Sequence, residues 1–211
     1  MQNKLNLSVL PLNQRRLFYF LAEQGWLKSF YLAGGTALAL QIGHRQSVDF
    51  DFFSDDAFDV RMIVKEAMKY GEFELFSEAE NTLHGLLNGV QISFFKINDN
   101  LLGPTNDYNE NLKLASLLDI AVMKLNAISG RGNKKDFIDL SFLLKYFGLI
   151  ELLEKYEKKY GRSISNQYHL LKSLLYFADA ENQPMPRMKI RKTWLQAKKE
   201  IILATKKAGI I

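Results

Sequence analysis

The chain contains no cysteine among its 211 residues. A disulfide framework and a thiolate metal site are therefore excluded, and this absence suits a reducing compartment. The sequence also lacks an uncharged apolar run long enough to span a bilayer, and its first residues lack the charged-then-apolar layout of a signal peptide. We therefore expect a cytoplasmic protein with no membrane partner.

Hydrophobic residues make up 47% of the sequence, which is ample for a packed core in one large domain or two small ones. The formal net charge of +5 suggests an anionic partner only weakly, because many basic proteins bind nothing acidic. The distribution of charge is more informative. Residues 187–207 contain one acid, Glu200, among the cations Arg187, Lys189, Arg191, Lys192, Lys198, Lys199, Lys206 and Lys207. A helix there either contacts a phosphate backbone or is simply a charged, solvated face.

The first half of the chain is predicted to be a mixed α/β unit over residues 1–112. Period-two alternation and short apolar runs predict strands, and Asn88-Gly89 predicts a tight turn between the last two. The predicted strands are residues 30–32, 48–53, 73–76, 83–87 and 90–97, and the predicted helices are residues 17–27, 37–42 and 60–70.

The second half of the chain, residues 113–211, has apolar residues at helical spacing instead. The predicted fold class is therefore α/β, with a mixed α+β sheet followed by a C-terminal helical domain. The predicted helices are residues 114–128, 134–147, 151–160, 165–177 and 190–208.

The stretch GGTALALQIGHRQSVDFDFF, residues 34–53, carries the candidate chemistry. Gly34 and Gly35 let the backbone approach a phosphate closely, and a helix beginning after the N-cap Thr36 points free N–H groups at an anion. The Thr36 hydroxyl adds a donor. Arg45 is either a phosphate contact or an exposed loop cation. Taken alone, a Gly-Gly pair is more typical of an ordinary turn.

A strand with two different faces ends this stretch. Val48, Phe50 and Phe52 are predicted to lie on an apolar face, and Asp49 and Asp51 on a polar face. The two aspartates are about 6.5–7 Å apart at the backbone. Carboxylates that converge at this spacing suit Mg²⁺ or Mn²⁺, which relieves their mutual repulsion. A lone Asp-x-Asp is more often a solvated strand edge, but the combination with the glycine pair indicates a phosphate site.

Several motifs together resemble the AbiEii/AbiGii toxin-type nucleotidyltransferases, within the DNA polymerase β-like nucleotidyltransferase superfamily. The resemblance covers about residues 30–145, and spacing across several motifs makes it more specific than any one of them. The matching segments are GGTAL at residues 34–38, GHR at 43–45, SVDFDFF at 47–53, DIAVMKL at 119–125, Arg131, and KDFIDL at 135–140.

The resemblance implies a nucleotidyltransferase fold for residues 1–112, in which the glycine loop binds a nucleoside triphosphate and the Asp-x-Asp pair binds the metal ion. It also implies an essential lysine and aspartate in the helical part, here Lys124 and Asp136, with Asp139 as a competing aspartate. The implied catalytic residues are Asp49, Asp51, Lys124 and Asp136, and the implied nucleotide-binding residues are Gly34, Gly35, Thr36, Ser47 and Lys124.

The resemblance further implies a biological setting. Family members characterised as toxins are similar to one another in adding nucleotides to tRNA, and they are typically paired with an antitoxin. The expected partners are therefore a nucleoside triphosphate, tRNA or another RNA, and a cognate antitoxin.

The residues of the helical part each allow two interpretations. Lys124 lies at the margin of an apolar stripe, where it either snorkels to solvent or contacts the triphosphate. Asp136 and Asp139 lie near a helix start, where capping alone accounts for an acid. The nearby basic cluster is either a solvated turn or a substrate-phosphate contact, and it consists of Arg131, Lys134 and Lys135.

The sequence departs from the superfamily pattern at one position. These enzymes often carry a third carboxylate on a later strand as general base, whereas the predicted strand 90–97 has only Gln91 and Ser93 on its polar face. We predict a metal-dependent nucleotidyltransferase that acts on an RNA 3′ end, with tRNA favoured, as the toxin of a toxin–antitoxin pair. The alternatives are a small-molecule or protein acceptor, and an inactive nucleotide-binding module, which the missing carboxylate favours.

Overall fold

The computed structural model of the protein describes residues 5–98, 100–161 and 167–209. The chain forms two compact units. One unit comprises Met1–Asn100 and Pro104–Ala115, and the other comprises Leu101–Gly103 and Ser116–Ile211. Within the described ranges, no helix is both long and apolar enough to cross a membrane.

The first unit is built on a seven-stranded mixed sheet with the order β3-β4-β5-β2-β1-β7-β6. Strand β2 lies in the middle of the sheet, antiparallel to β1 and parallel to β5. The strands are β1 (Tyr31–Ala33), β2 (Phe50–Ser54), β3 (Phe73–Ala79), β4 (Thr82–Leu87), β5 (Val90–Lys96), β6 (Asn106–Asp107) and β7 (Lys113–Leu114). The predicted α/β class is confirmed.

Three α-helices accompany this sheet: α1 (Leu12–Ala22), α2 (Gly34–Ile42) and α3 (Val60–Ala67). Helix α1 begins and ends five residues earlier than predicted, and residues Gly25–Ser29 at the end of the predicted range form a separate 3-10 helix. The predicted hairpin between β4 and β5 is confirmed. Asn88 and Gly89 adopt φ values of 49° and 74°, the left-handed conformations that a two-residue type I′ turn requires.

One face of the sheet is packed with aromatic rings. Phe52 and Phe94 stack with centroids 5.1 Å apart, and Phe30 meets Phe94 edge to face at 5.2 Å. All three rings are buried, as is Phe50. Because successive residues of a strand face opposite sides, this packing turns Asp51 toward the other face.

The predicted strand at residues 48–53 begins too early. Strand β2 starts at Phe50, and Val48 is 45% exposed instead of lying on the apolar face. Strands β6 and β7 were not predicted from the sequence. Each has two residues, too short for an alternation to be recognised, and Asn106 and Asp107 have low strand propensity.

The second unit is helical. Its helices are α4 (Leu117–Arg131), α5 (Lys134–Leu143), α6 (Leu149–Tyr160), α7 (Gln167–Leu175), α8 (Ala178–Glu181) and α9 (Trp194–Lys207). Helix α4 continues past the predicted end at residue 128, to the left-handed C-cap Gly132. Residues 165 and 166 of the predicted fourth helix lie outside the described residues.

Helix α9 also begins later than predicted. Thr193 and Gln196 form a reciprocal capping box at its start, so the helix begins at Trp194 and not at residue 190. Ile190, the first residue of the predicted helix, is exposed.

A buried carboxylate anchors the short segment Leu101–Gly103 to the helical unit. Asp119 accepts hydrogen bonds from the backbone N–H groups of Leu102 at 2.8 Å and Gly103 at 3.2 Å. Lys159 Nζ lies 3.3 Å from the same carboxylate, and both side chains are fully buried. This charge is therefore part of the structural core of the helical unit.

The aromatic face yields a stability prediction. Phe94→Ala is expected to lower the free energy of unfolding by about 3–5 kcal/mol, because it leaves a cavity among buried rings. The matched control is Phe76→Ala, in which the removed ring is 55% exposed, and a change within about 0.5 kcal/mol is expected there. Urea denaturation measures both variants, and equal losses would contradict the described core.

Candidate active site

The glycine loop consists of Gly34 and Gly35 at the start of α2, and its backbone lies directly beside Asp51. Gly34 has φ +67°, and a β-carbon on it would lie 3.1 Å from Oδ2 of Asp51. A β-carbon on Gly35 would overlap the guanidinium of Arg45. Gly34 therefore needs glycine, because its φ is left-handed and its backbone lies close to a carboxylate. At Gly35, an added side chain would have to displace the end of the Arg45 side chain.

Helix α2 begins at Gly34, with Ala33 as its N-cap residue. The prediction that Thr36 caps the helix is therefore wrong, since Thr36 lies within the first turn. Its buried hydroxyl donates to the backbone carbonyl of Asp49. A hydroxyl has only one proton, so Ser47, whose Oγ lies 2.8 Å away, donates to Thr36. This chain of hydrogen bonds ties the start of α2 to Asp49.

Asp49 and Asp51, the two predicted metal ligands, differ in the secondary structure of their backbones. Asp51 lies within β2, and Asp49 immediately precedes the strand. Both residues are partly exposed. Mg²⁺ is commonly held by one or two carboxylates together with substrate phosphates and water. Within the described residues, no group of three or more His, Asp or Glu residues could hold a metal ion by itself. The two carboxylates of Asp49 and Asp51 match the number of protein carboxylates in such sites.

Arg45 is 4% exposed, so its alternative interpretation as an exposed loop cation is wrong. Its Nη1 donates to the carbonyl of Gln46 at 2.9 Å. The neighbouring His44 is also buried. The close approach of Arg45 to Gly35 places a positive charge next to the glycine loop.

The helical unit brings three of the predicted residues together. Nζ of Lys124 lies 2.8 Å from Asp136 and 2.7 Å from Asp139, and both carboxylates are fully buried. The Lys124 side chain is only 5% exposed, so the snorkelling interpretation is wrong. The resemblance left Asp136 and Asp139 as competitors, but both contact the lysine. Capping is not their role, because α5 has Asn133 as its N-cap residue.

Arg131 completes this cluster from the end of α4. Its Nε donates to Asp136 at 3.0 Å and its Nη2 at 3.3 Å, although its own side chain is 57% exposed. Burial raises the pKa of Asp136, but Lys124 and Arg131 outweigh that effect and hold the pKa of this carboxyl below its usual value. Asp136 is therefore an ionised carboxylate shared by one buried and one exposed cation.

The three cations of the predicted basic cluster, Arg131, Lys134 and Lys135, have different environments. Lys134 is buried, and its Nζ donates to the carbonyls of Glu181 and Gln183, so neither a solvated turn nor a phosphate contact describes it. Lys135 and Arg131 are exposed. For these two residues, the solvated turn and the substrate-phosphate contact both stay predictions.

The chain is similar in sequence to known proteins. The family model described as "Nucleotidyl transferase AbiEii toxin, Type IV TA system" matches residues 15–88, which include the glycine loop and both strand aspartates. A protein of Aquifex aeolicus, itself described as uncharacterized, is 39% identical over 178 residues, which are 82% of this chain and 86% of the relative.

Two solved structures share the fold. JHP933 from Helicobacter pylori is 19% identical with a TM-score of 0.55, and the match covers 94% of this chain and 93% of that one. MenT4, a nucleotidyltransferase toxin from Mycobacterium tuberculosis, is 14% identical with a TM-score of 0.52, and the match covers 92% of this chain and 86% of that one. The glycine loop and the strand aspartates thus lie on a nucleotidyltransferase fold, and residues 15–88 of the chain belong to the AbiEii family of nucleotidyltransferase toxins.

Proposed function

We propose that this protein transfers a nucleotide from a nucleoside triphosphate to the 3′ hydroxyl of an RNA, with tRNA as the favoured acceptor, in a reaction that needs Mg²⁺ or Mn²⁺. The observation that carries the proposal is the placement of Gly34 against Asp51, with no side chain between the backbone and the carboxylate. A phosphate and its metal ion need this combination of open backbone and hard oxygen ligands.

The triphosphate is proposed to lie against the glycine loop at the start of α2. The first N–H groups of a helix have no partner within the helix, and they attract an anion together with the helix dipole. Arg45, next to Gly35, adds positive charge at the same place. In this arrangement Ser47 and Thr36 position Asp49, because their two hydroxyls form a chain of hydrogen bonds to the backbone carbonyl of Asp49.

Asp49 and Asp51 are the residues that would hold the divalent ion. Such an ion would neutralise the negative charge that develops on the phosphate oxygens during transfer. The chain itself orients the nucleotide by the loop, holds Asp51 within β2, and fixes the backbone of Asp49 through the hydroxyl of Thr36. An acceptor hydroxyl then attacks the α-phosphate, and pyrophosphate leaves.

The cluster around Lys124 is proposed to serve nucleotide binding in the helical unit, as the resemblance implies. Asp136 and Asp139 hold the ammonium in one position. Asp136 also orients the exposed guanidinium of Arg131. A guanidinium held by a carboxylate on one side is well suited to bind phosphate oxygens on the other.

An RNA acceptor is favoured by the charge of the C-terminal segment. Lys192 is buried against Glu200, and Lys198 pairs with Glu181, so these two cations serve the fold. The other cations of the segment are exposed: Arg187, Lys189, Arg191, Lys199, Lys206 and Lys207. Exposed cations of this density gain affinity for a polyanion by releasing its counterions. We expect the reaction in the cytoplasm and an antitoxin as the regulating partner.

The strand aspartates supply the decisive test. With Mg²⁺ present, the wild type is expected to transfer label from at least one α-³²P nucleoside triphosphate to the 3′ end of tRNA. Asp49→Asn and Asp51→Asn remove one negative charge each with almost no change in volume, and each is expected to abolish transfer. The matched control is Asp55→Asn, an exposed position just after β2, which should retain wild-type activity.

Full activity of either site variant would exclude the proposed metal ligands. Label in a small molecule instead of tRNA would contradict the RNA acceptor. Nucleotide binding by calorimetry without transfer to any acceptor would favour the inactive binding module.

The buried cluster predicts a stability loss that depends on pH. Lys124→Ala is expected to lower the free energy of unfolding by about 3–5 kcal/mol at neutral pH, because it removes the cation shared by two buried carboxylates. The pKa of Asp136 is lowered in the folded state, so its contribution is present above its unfolded pKa and is lost as the pH falls through the folded pKa. The loss should therefore shrink below about pH 4.

Urea denaturation at several pH values measures this effect, with Lys158→Ala on the exposed side of α6 as the control. A loss that does not change with pH would contradict the ionised pair.

Calorimetry with a nucleoside triphosphate should show weaker binding to Lys124→Ala while the variant is folded. Unchanged affinity would contradict a role of the Lys124 cluster in nucleotide binding.

A further inference from the structure

A row of three polar side chains crosses the middle of the sheet. Asp51 on β2 is paired in register with Ser93 on β5, and Ser93 is paired in register with His84 on β4. Residues that are directly opposite on neighbouring strands present their side chains on the same face. With strands about 4.8 Å apart, the backbone of His84 lies about 10 Å from that of Asp51, and Ser93 lies between them.

A hydrogen bond joins two members of this row, Ser93 and His84. Nδ1 of His84 lies 3.2 Å from Oγ of Ser93, and Ser93 is 1% exposed. The imidazole also meets the ring of Phe95 edge to face, with centroids 4.8 Å apart. On the other side, the residue paired with His84 is Ser77 of β3. The imidazole is thus held by packing on one side and by a hydroxyl at one nitrogen.

The proposed reaction requires a group that removes a proton. The acceptor hydroxyl must lose its proton when it attacks phosphorus, and a positioned side chain usually takes it. Asp49 and Asp51 are committed to the metal ion in the proposed function. The strand beside Asp51 carries Ser93 at the aligned position, with no acid there. Imidazole is the side chain best suited to accept a proton near neutral pH.

We propose that His84 receives the proton of the attacking hydroxyl through Ser93, an inference that rests on the proposed function. The acceptor oxygen forms a bond to the α-phosphorus, and its proton passes to Oγ of Ser93 as the Ser93 proton passes to Nδ1 of His84. The bond from the α-phosphorus to the oxygen of the β-phosphate breaks, and pyrophosphate leaves with the electron pair. His84 contacts Ser93 and not the substrate. It therefore accepts the proton indirectly and orients the Ser93 hydroxyl.

The proposal requires one tautomer of His84. Nδ1 must accept the hydrogen bond from Ser93, so the proton of the neutral ring must be on Nε2. The opposite tautomer would donate from Nδ1 to Ser93 and leave no acceptor for the transferred proton.

The tautomer can be measured without any substrate. The chain has three histidines, so long-range ¹H–¹⁵N NMR of the neutral rings gives three patterns, and the one lost in His84→Gln belongs to His84. The Nε2–H pattern is expected for His84 in the wild type, with a shifted Nδ1 resonance in Ser93→Ala. An Nδ1–H pattern in the wild type overturns the proposal.

Kinetics then test the role in transfer. His84→Gln is expected to lower kcat for transfer to tRNA by about 10²–10⁴-fold, the usual range for a proton-transfer group. The KM for the nucleotide should stay within about twofold, because ground-state binding is untouched. The matched control is His169→Gln, at an exposed position in the helical unit, which should leave both constants unchanged.

A second substitution separates proton transfer from a merely structural effect. Ser93→Asp places a carboxylate beside Asp51, which can take the proton directly, so adding it to His84→Gln should restore part of kcat. A wild-type kcat in His84→Gln, or a loss confined to KM, overturns the proposal. If the wild type labels no tRNA, the proposed acceptor fails, while the proton path is still decided by the tautomer of His84.

Discussion

The burial of Phe50 and Phe52 on one side of the middle strand is the interaction on which the candidate active site depends. Because strand residues alternate between faces, these two rings leave Asp51 no direction except the opposite face. A slip by one residue would bury the carboxylate and expose both rings, so the register is strongly specified. The stacking of Phe52 on Phe94 extends this constraint to the neighbouring strand, where it leaves Ser93 beside Asp51.

The second constraint is the close approach of the glycine loop to that strand. Gly34 borders the carboxylate of Asp51, and Gly35 borders the guanidinium of Arg45. The hydroxyl of Thr36 adds a direct hydrogen bond from the first turn of α2 to the carbonyl of Asp49. The loop and the acidic strand therefore form one rigid assembly, and a ligand that binds between them meets preorganised groups.

The helical unit uses buried charge in two different ways. Asp119 and Lys159 are both fully buried, and the carboxylate also binds the backbone of a connecting segment, so this pair serves the structure. In the other cluster, Asp136 is buried but one of its cations, Arg131, is 57% exposed. A buried pair alone is weak evidence for stability, because desolvation offsets the attraction. The exposed cation distinguishes the second cluster and favours a binding role for it.

The sequence by itself determined the fold class, the hairpin turn, the facing of Asp51 and the family, because periodicity, turn chemistry and motif spacing are local properties of the chain. It placed Lys124 only at the margin of an apolar stripe. Tertiary structure decided that two carboxylates bury this lysine, and that Thr36 holds Asp49 instead of capping a helix. It also decided that the imidazole of His84 contacts the hydroxyl of Ser93, a contact that no motif indicated. The physical reason is that these contacts join residues distant in the chain, and only strand register and helix packing bring such residues together.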